Sequence, residues 1–185
     1  MSGLSAVLDA CVLLPMPTCD LLLRLADAKE YRPLWSHGIL EEVERNLQTV
    51  FMRTPGQAEK RVRNMQKYFP DAEVCEYESL IHQMGNDPKD RHVLATAVRA
   101  RADFIVTFNL KDFPEETLAP FDVRAVHPDD FLCDRFALKP QRIKQIAEDI
   151  VRDMKNPEVT HTEYLVGLRK IGLVRFAETL ESNGF

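Results

Sequence analysis

What this chain lacks narrows its class before anything it contains. Its four cysteines, Cys11, Cys19, Cys75 and Cys133, form no C-x-x-C pair. Neither a structural zinc site nor a disulfide framework is therefore expected, and the thiols read as reduced. No apolar run approaches the roughly 20 residues that a membrane-spanning helix needs, and residues 1–7 carry no basic stretch leading into an apolar one. A soluble, cytoplasmic chain with no membrane partner is the expectation. Positive charge is not in excess either, since the formal net charge is −5. Nothing global marks a nucleic-acid binder, and any basic groove has to be local. There is no internal repeat and no low-complexity segment. The run Asp9-Ala10-Cys11 also lacks a second early acid, which argues against a phosphoacceptor regulator or an aspartyl-phosphate phosphatase.

What remains is a chain of 185 residues, 45% of them hydrophobic, enough for one substantial core and a short appendage. Residues 4–8 are a brief apolar run ending in Asp9, followed by a proline-containing loop over 11–17. A helix then starts at Thr18, which is placed to cap it, with Leu21, Leu22, Leu25 and Ala28 as its apolar stripe. Residues 33–35 read as a second strand. Ser36 is placed as the N-cap of a helix through Ile39, Leu40, Val43 and Leu47. Residues 54–68 form a basic helix whose charged face reads as solvated or, less simply, as a contact for a polyanion. Residues 72–77 alternate like an edge strand, 78–84 make a helical turn, 102–107 form a buried strand, and 123–126 a further one. Strands alternating with helices predict α/β architecture with a parallel sheet. Composition shifts near Lys139 and Pro140, giving a division into residues 1–134 and a helical extension over 135–185.

The chemistry concentrates in oxygen side chains. Asp9 ends the first strand, Glu42 lies in the second helix, Asp90 opens a later helix, and Thr107, Asn109 and Asp112 emerge where the 102–107 strand ends. Open α/β sheets place ligands at that end of their strands. Several carboxylates in one cleft repel one another and stay ionised together only around a hard cation, for which Mg²⁺ or Mn²⁺ suits the donors. Such a site activates water against a phosphodiester. Each residue also has a plain structural reading: Asp9 as a strand end, Glu42 as a solvated helix residue, Asp87 as a turn or cap, and Asp90 as a charge on a helix dipole. The joint pattern favours chemistry.

Four segments, VLDACVLLP, ILEEVERNL, DPKDRHVLATA and ADFIVTFNLKDFP, resemble the successive motifs of PIN domains, the ribonuclease domain of VapC-type toxins from toxin–antitoxin pairs. The likeness covers about residues 4–134. It implies a three-layer α/β/α sandwich and divalent-metal cleavage of RNA, with Asp9, Glu42 and Asp90 as the first three acidic positions. Asn109 stands where many members carry Asp, so Asn109, Asp112 or both complete the set, with Thr107 supporting it. Metal ligation falls on Asp9, Glu42, Asp90 and Asp112. Lys89, Arg91 and Lys111 are the candidate RNA contacts. The resemblance further implies an RNA substrate (tRNA, rRNA or mRNA), a cognate antitoxin and a homodimer. The alternative is a catalytically weakened PIN-like module that binds RNA or protein.

Overall fold

The computed structural model describes residues 3–185; of the amino-terminal stretch without basic residues, Met1 and Ser2 lie outside the described residues. In chain order the elements begin with β1 (Ser5–Leu8), α1 (Ala10–Leu13), α2 (Met16–Asp27), β2 (Arg32–Leu34), α3 (His37–Thr49) and α4 (Pro55–Tyr68). There follow α5 (Arg91–Ala100), β3 (Phe104–Val106), α6 (Glu115–Leu118) and β4 (Arg124–Val126). The carboxyl-terminal part supplies α7 (Pro128–Leu138), α8 (Pro140–Asp153), α9 (His161–Lys170) and α10 (Val174–Ser182). The chain divides into two compact units. One holds the chain through Leu14 and Tyr31–Val126, the other Pro15–Glu30 and His127–Phe185.

The first unit carries one sheet of four parallel strands in the order β2-β1-β3-β4. With its flanking helices this is the expected α/β/α sandwich around a parallel sheet. Its central strand β1 is buried at every residue, as a run without alternation requires. Pro33, which has no N–H to give to a ladder, sits in β2 at the sheet edge, the position a strand proline tolerates. Ser36 caps α3, accepting from the Ile39 amide at 3.4 Å. Thr54 and Gln57 form a reciprocal capping box on α4.

Several local expectations are corrected. The helix expected from Thr18 begins at Met16, with Pro15 in the N-cap position and Pro17 in the first turn; Thr18 is fully buried and caps nothing. The loop expected over 11–17 contains α1. Residues 72–77 form no strand. A single bridge joins Trp35 to Glu73, and Glu76 takes a positive φ of 61°, which turns the backbone away from further pairing. The face of α4 is not wholly solvated, because the Arg61 guanidinium donates to the Leu14 carbonyl at 3.1 Å and also to that of Leu13.

In the second unit α2 packs on α8 and α9, and α7 on α8 and α10. The α8 stripe Ile143, Ile146, Ala147, Ile150 and Val151 is buried, as are Leu21, Leu22 and Leu25 of α2. The expected division after Asp134 falls inside the unbroken helix α7, and the units part instead at Val126.

Candidate functional site

The sheet order reverses at β1: β2 lies on one side and β3 on the other. At such a switch point the connections leave in opposite directions, and a crevice opens at the carboxyl ends of the two central strands. Leu8 is in register with Val106, so Asp9 and Thr107 are the first residues beyond the sheet and stand face to face.

Asp9 is 3% exposed. Its amide donates to the Val106 carbonyl at 3.1 Å, which anchors its backbone to β3. Although it occupies the N-cap position of α1, its carboxylate caps nothing. Instead, Oδ2 accepts from Thr107 Oγ1 at 2.7 Å and from Cys11 Sγ at 3.1 Å. Both donors receive a backbone N–H in turn: Thr107 Oγ1 from Asn109 at 3.0 Å, and Cys11 Sγ from Phe108 at 3.3 Å. Burial, then the Asp9 charge, pushes the Cys11 thiol well above its ordinary range, so it keeps the proton it gives to Asp9.

Asp90 shows the same economy. It holds the N-cap position of α5 without a side-chain capping bond. Its carboxyl is pushed up to about 7, first by burial and then by the charges of Asp9, Asp112, Glu42 and Asp87. That proton affinity records a shared acidic cleft, because each contributing charge has to lie near enough to be felt. Glu42 is raised in the same direction by burial and by Asp9, against the opposing influence of His92, Arg45 and the Asn46 amide. His92 Nε2 stands 3.7 Å from Glu42 Oε2, while its Nδ1 meets the Lys89 carbonyl at 2.9 Å. Glu41, one position earlier on α3, points elsewhere and pairs with His37 at 3.2 Å. The 100° per residue of a helix makes that divergence necessary. Gly38, one turn before Glu42, makes room beneath His92. A Cβ there would come within 2.9 Å of the Tyr77 hydroxyl and 3.4 Å of His92 Cδ2.

The remaining sequence-predicted residues divide. Asp112 ends a short 3-10 turn (Leu110–Asp112); its carbonyl accepts from the Asp87 amide and from Asn86 Nδ2, both at 3.4 Å. This ties the loop after β3 to the entrance of α5. Asn109 is exposed at the start of that turn. Asp87 Oδ1 accepts from the Lys89 amide at 3.0 Å, the turn role its position before a proline predicts. Lys89 and Lys111 are exposed, whereas Arg91 is half-buried and donates through Nε to the Asn86 carbonyl at 3.2 Å. Among the described residues, no three His, Cys, Asp or Glu side chains stand close enough together to hold a metal ion. The expected convergence of Asp9, Glu42, Asp90 and Asp112 is thus electrostatic, looser than a coordination shell. Like charges do not close on one another unaided.

Sequence reasoning missed Cys11 and the Glu42–His92 contact. A signal for Cys11 existed in its position two residues after Asp9, within the same motif.

Residues 5–111 match the family model described as PIN domain, well over half of the chain. The protein belongs to the PIN domain family. The switch-point crevice, with Asp9, Glu42, Asp90 and Thr107, lies within the matched residues. Residues 128–182, in the helical unit, match a second family model, described as the VapC50 C-terminal domain. Over 84 residues the chain is 48% identical to "Putative ribonuclease VapC50" of Mycobacterium tuberculosis (strain ATCC 25618 / H37Rv), covering 45% of this chain and 50% of that protein. The chain spans about half the length of the curated relative it matches.

Proposed function

We propose that this PIN-domain protein is a metal-dependent endoribonuclease, the toxin of a toxin–antitoxin pair acting in the cytoplasm. The observation that carries the reading is Asp9 bonded to Thr107 at the carboxyl ends of the two central strands, with Glu42, Asp90 and Asp112 near enough for their charges to be felt there. A cleft that gathers acidic charge in this way suits a cationic partner. Every candidate donor is a carboxylate or amide oxygen, which matches hard divalent ions such as Mg²⁺ or Mn²⁺. Asp9, Glu42, Asp90 and Asp112 are the residues that would hold it, with Asn109 able to lend a carbonyl oxygen. A bound divalent ion supplies water activation and neutralises charge developing on phosphate oxygens.

The chain's own groups do the rest. Thr107 and Cys11 fix Asp9 by occupying Oδ2, which leaves Oδ1 as the oxygen for an ion. Asp90 holds or releases a proton near neutral pH. The exposed Lys89 and Lys111 beside the cleft supply positive charge for an RNA backbone, with Arg91 in part committed to Asn86. A cognate antitoxin and a second copy of the chain are the protein partners of this reading.

A second reading, a weakened PIN module that binds RNA or protein, draws on Asn109 standing where an acid is common. Incubation of short RNAs with the protein and Mg²⁺ or Mn²⁺ separates the two. The nuclease reading expects internal cleavage that chelator abolishes and Asp90→Asn greatly slows. Equal product from wild type and Asp90→Asn would assign the activity to a contaminant and leave the binding module.

A further inference from the structure

We infer that Cys11 is a positioning residue for RNA cleavage, acting through Asp9; the inference rests on the nuclease reading. Asp9 Oδ2 receives two donors of the same construction. On one side Asn109 N–H bonds to Thr107 Oγ1 at 3.0 Å, and the hydroxyl bonds on to Oδ2 at 2.7 Å. On the other, Phe108 N–H bonds to Cys11 Sγ at 3.3 Å, and the thiol bonds on to Oδ2 at 3.1 Å. The two relays touch, with Sγ 3.3 Å from Oγ1.

Proton counting makes the arrangement directional. Each of the two side chains has one hydrogen to give, and each accepts from a backbone amide whose hydrogen cannot turn away. The Sγ–Oγ1 contact could be donated from either side, but the charged Oδ2 is the stronger acceptor and draws both hydrogens. A carboxylate held from two sides on one oxygen loses its rotation about χ2, and Oδ1, which takes neither of these bonds, is the oxygen left for a ligand. Thr107 alone would leave Asp9 free to pivot about a single bond. The thiol also pins the loop after β3 to α1, since its acceptor role engages Phe108, the residue between Thr107 and Asn109. Outer groups that orient a ligand in this way govern its affinity without touching the ion. Cys11 therefore belongs to the reaction through geometry and not through nucleophilic chemistry.

The test compares the full-length wild type with Cys11→Val, which keeps the bulk but neither gives nor accepts a hydrogen bond, and with Cys11→Ser, which does both. Two readouts are taken: Mn²⁺ binding to metal-free protein by titration calorimetry, and kcat and KM on a short RNA. For Cys11→Val we expect Mn²⁺ binding weakened about 10–100-fold and kcat lowered comparably, with KM changed less than about 2-fold, in a protein still folded by circular dichroism. Cys11→Ser should stay within about 3-fold of wild type in both readouts. Wild-type Mn²⁺ affinity in Cys11→Val overturns the positioning role, as does an equal loss in Cys11→Ser and Cys11→Val. If Cys11→Val loses Mn²⁺ affinity but wild type cleaves no RNA, the nuclease reading falls and positioning of Asp9 stands. If wild type takes up no Mn²⁺, both fall.

Discussion

Replacing Asp9 by Asn is expected to slow RNA cleavage by about 10³-fold, roughly 4 kcal/mol of transition-state stabilisation, without lowering the thermal melting midpoint. The amide oxygen can still accept from Thr107 and Cys11, which hold Oδ2 in the wild type. That orientation puts the new NH₂ group in the place of Oδ1, so an acceptor becomes a donor and a negative charge disappears. The fold loses little, because the position keeps its shape and its two incoming hydrogen bonds. Removing a charge that raises both Asp90 and Glu42 also relieves repulsion. Functional sites hold such strain at the expense of stability. Rates on a short RNA together with a melting curve check both halves of the expectation. A parallel fall in rate and melting midpoint would make Asp9 a structural residue and contradict the account.

The second large effect is on pH dependence. Divalent-ion affinity is expected to rise about tenfold per pH unit below neutrality and to level off above it, because a carboxyl at about 7 has to lose its proton before it can serve as a ligand. Mn²⁺ titrations across this range, in buffers of differing ionisation enthalpy, measure both the affinity and the protons released. In Asp90→Asn the slope should flatten. A wild-type affinity that does not change with pH would contradict the assignment of Asp90. The stability of the metal-free domain runs the other way. Asp90 is raised from 3.8 to about 7 on folding. Its favourable contribution is fully present below the unfolded value and is lost as pH rises through about 7.

The fold was legible in the sequence because its strongest signals are local. The brief apolar run of β1, the apolar stripe Ile39, Leu40, Val43 and Leu47 of α3 and its cap Ser36 each depend on neighbours within a few residues. The parallel sheet followed from the alternation of strands and helices. Failures came where local pattern competes with geometry set elsewhere. Residues 72–77 alternate like a strand, yet Glu76 at φ 61° ends the pairing after one bridge. Thr18 is a good capping residue, but the two prolines at 15 and 17 start α2 before it, and the helix buries it instead. The division after Asp134 rested on composition, which cannot see that α7 runs through that point as one helix.

The acidic cleft was legible in its members but not in its wiring. Asp9, Glu42 and Asp90 stood out by residue type and by place relative to strands and helices. That Asp9 is held by a thiol as well as a hydroxyl was not legible, because hydrogen bonds between residues 96 to 98 positions apart, such as those of Thr107 to Asp9 and to Cys11, are a property of sheet register. The same holds for His92 meeting Glu42 across α3 and α5.

The central claim, that Asp9, Glu42, Asp90 and Asp112 share a divalent ion, is tested most directly by anomalous diffraction from crystals of the wild-type protein soaked in Mn²⁺. The account predicts a manganese peak bonded to Asp9 and Asp90, with Glu42 and Asp112 drawn towards it directly or through water, and no such peak in Asp9→Asn. A wild-type map with no manganese in this cleft, at concentrations that support RNA cleavage, would contradict it.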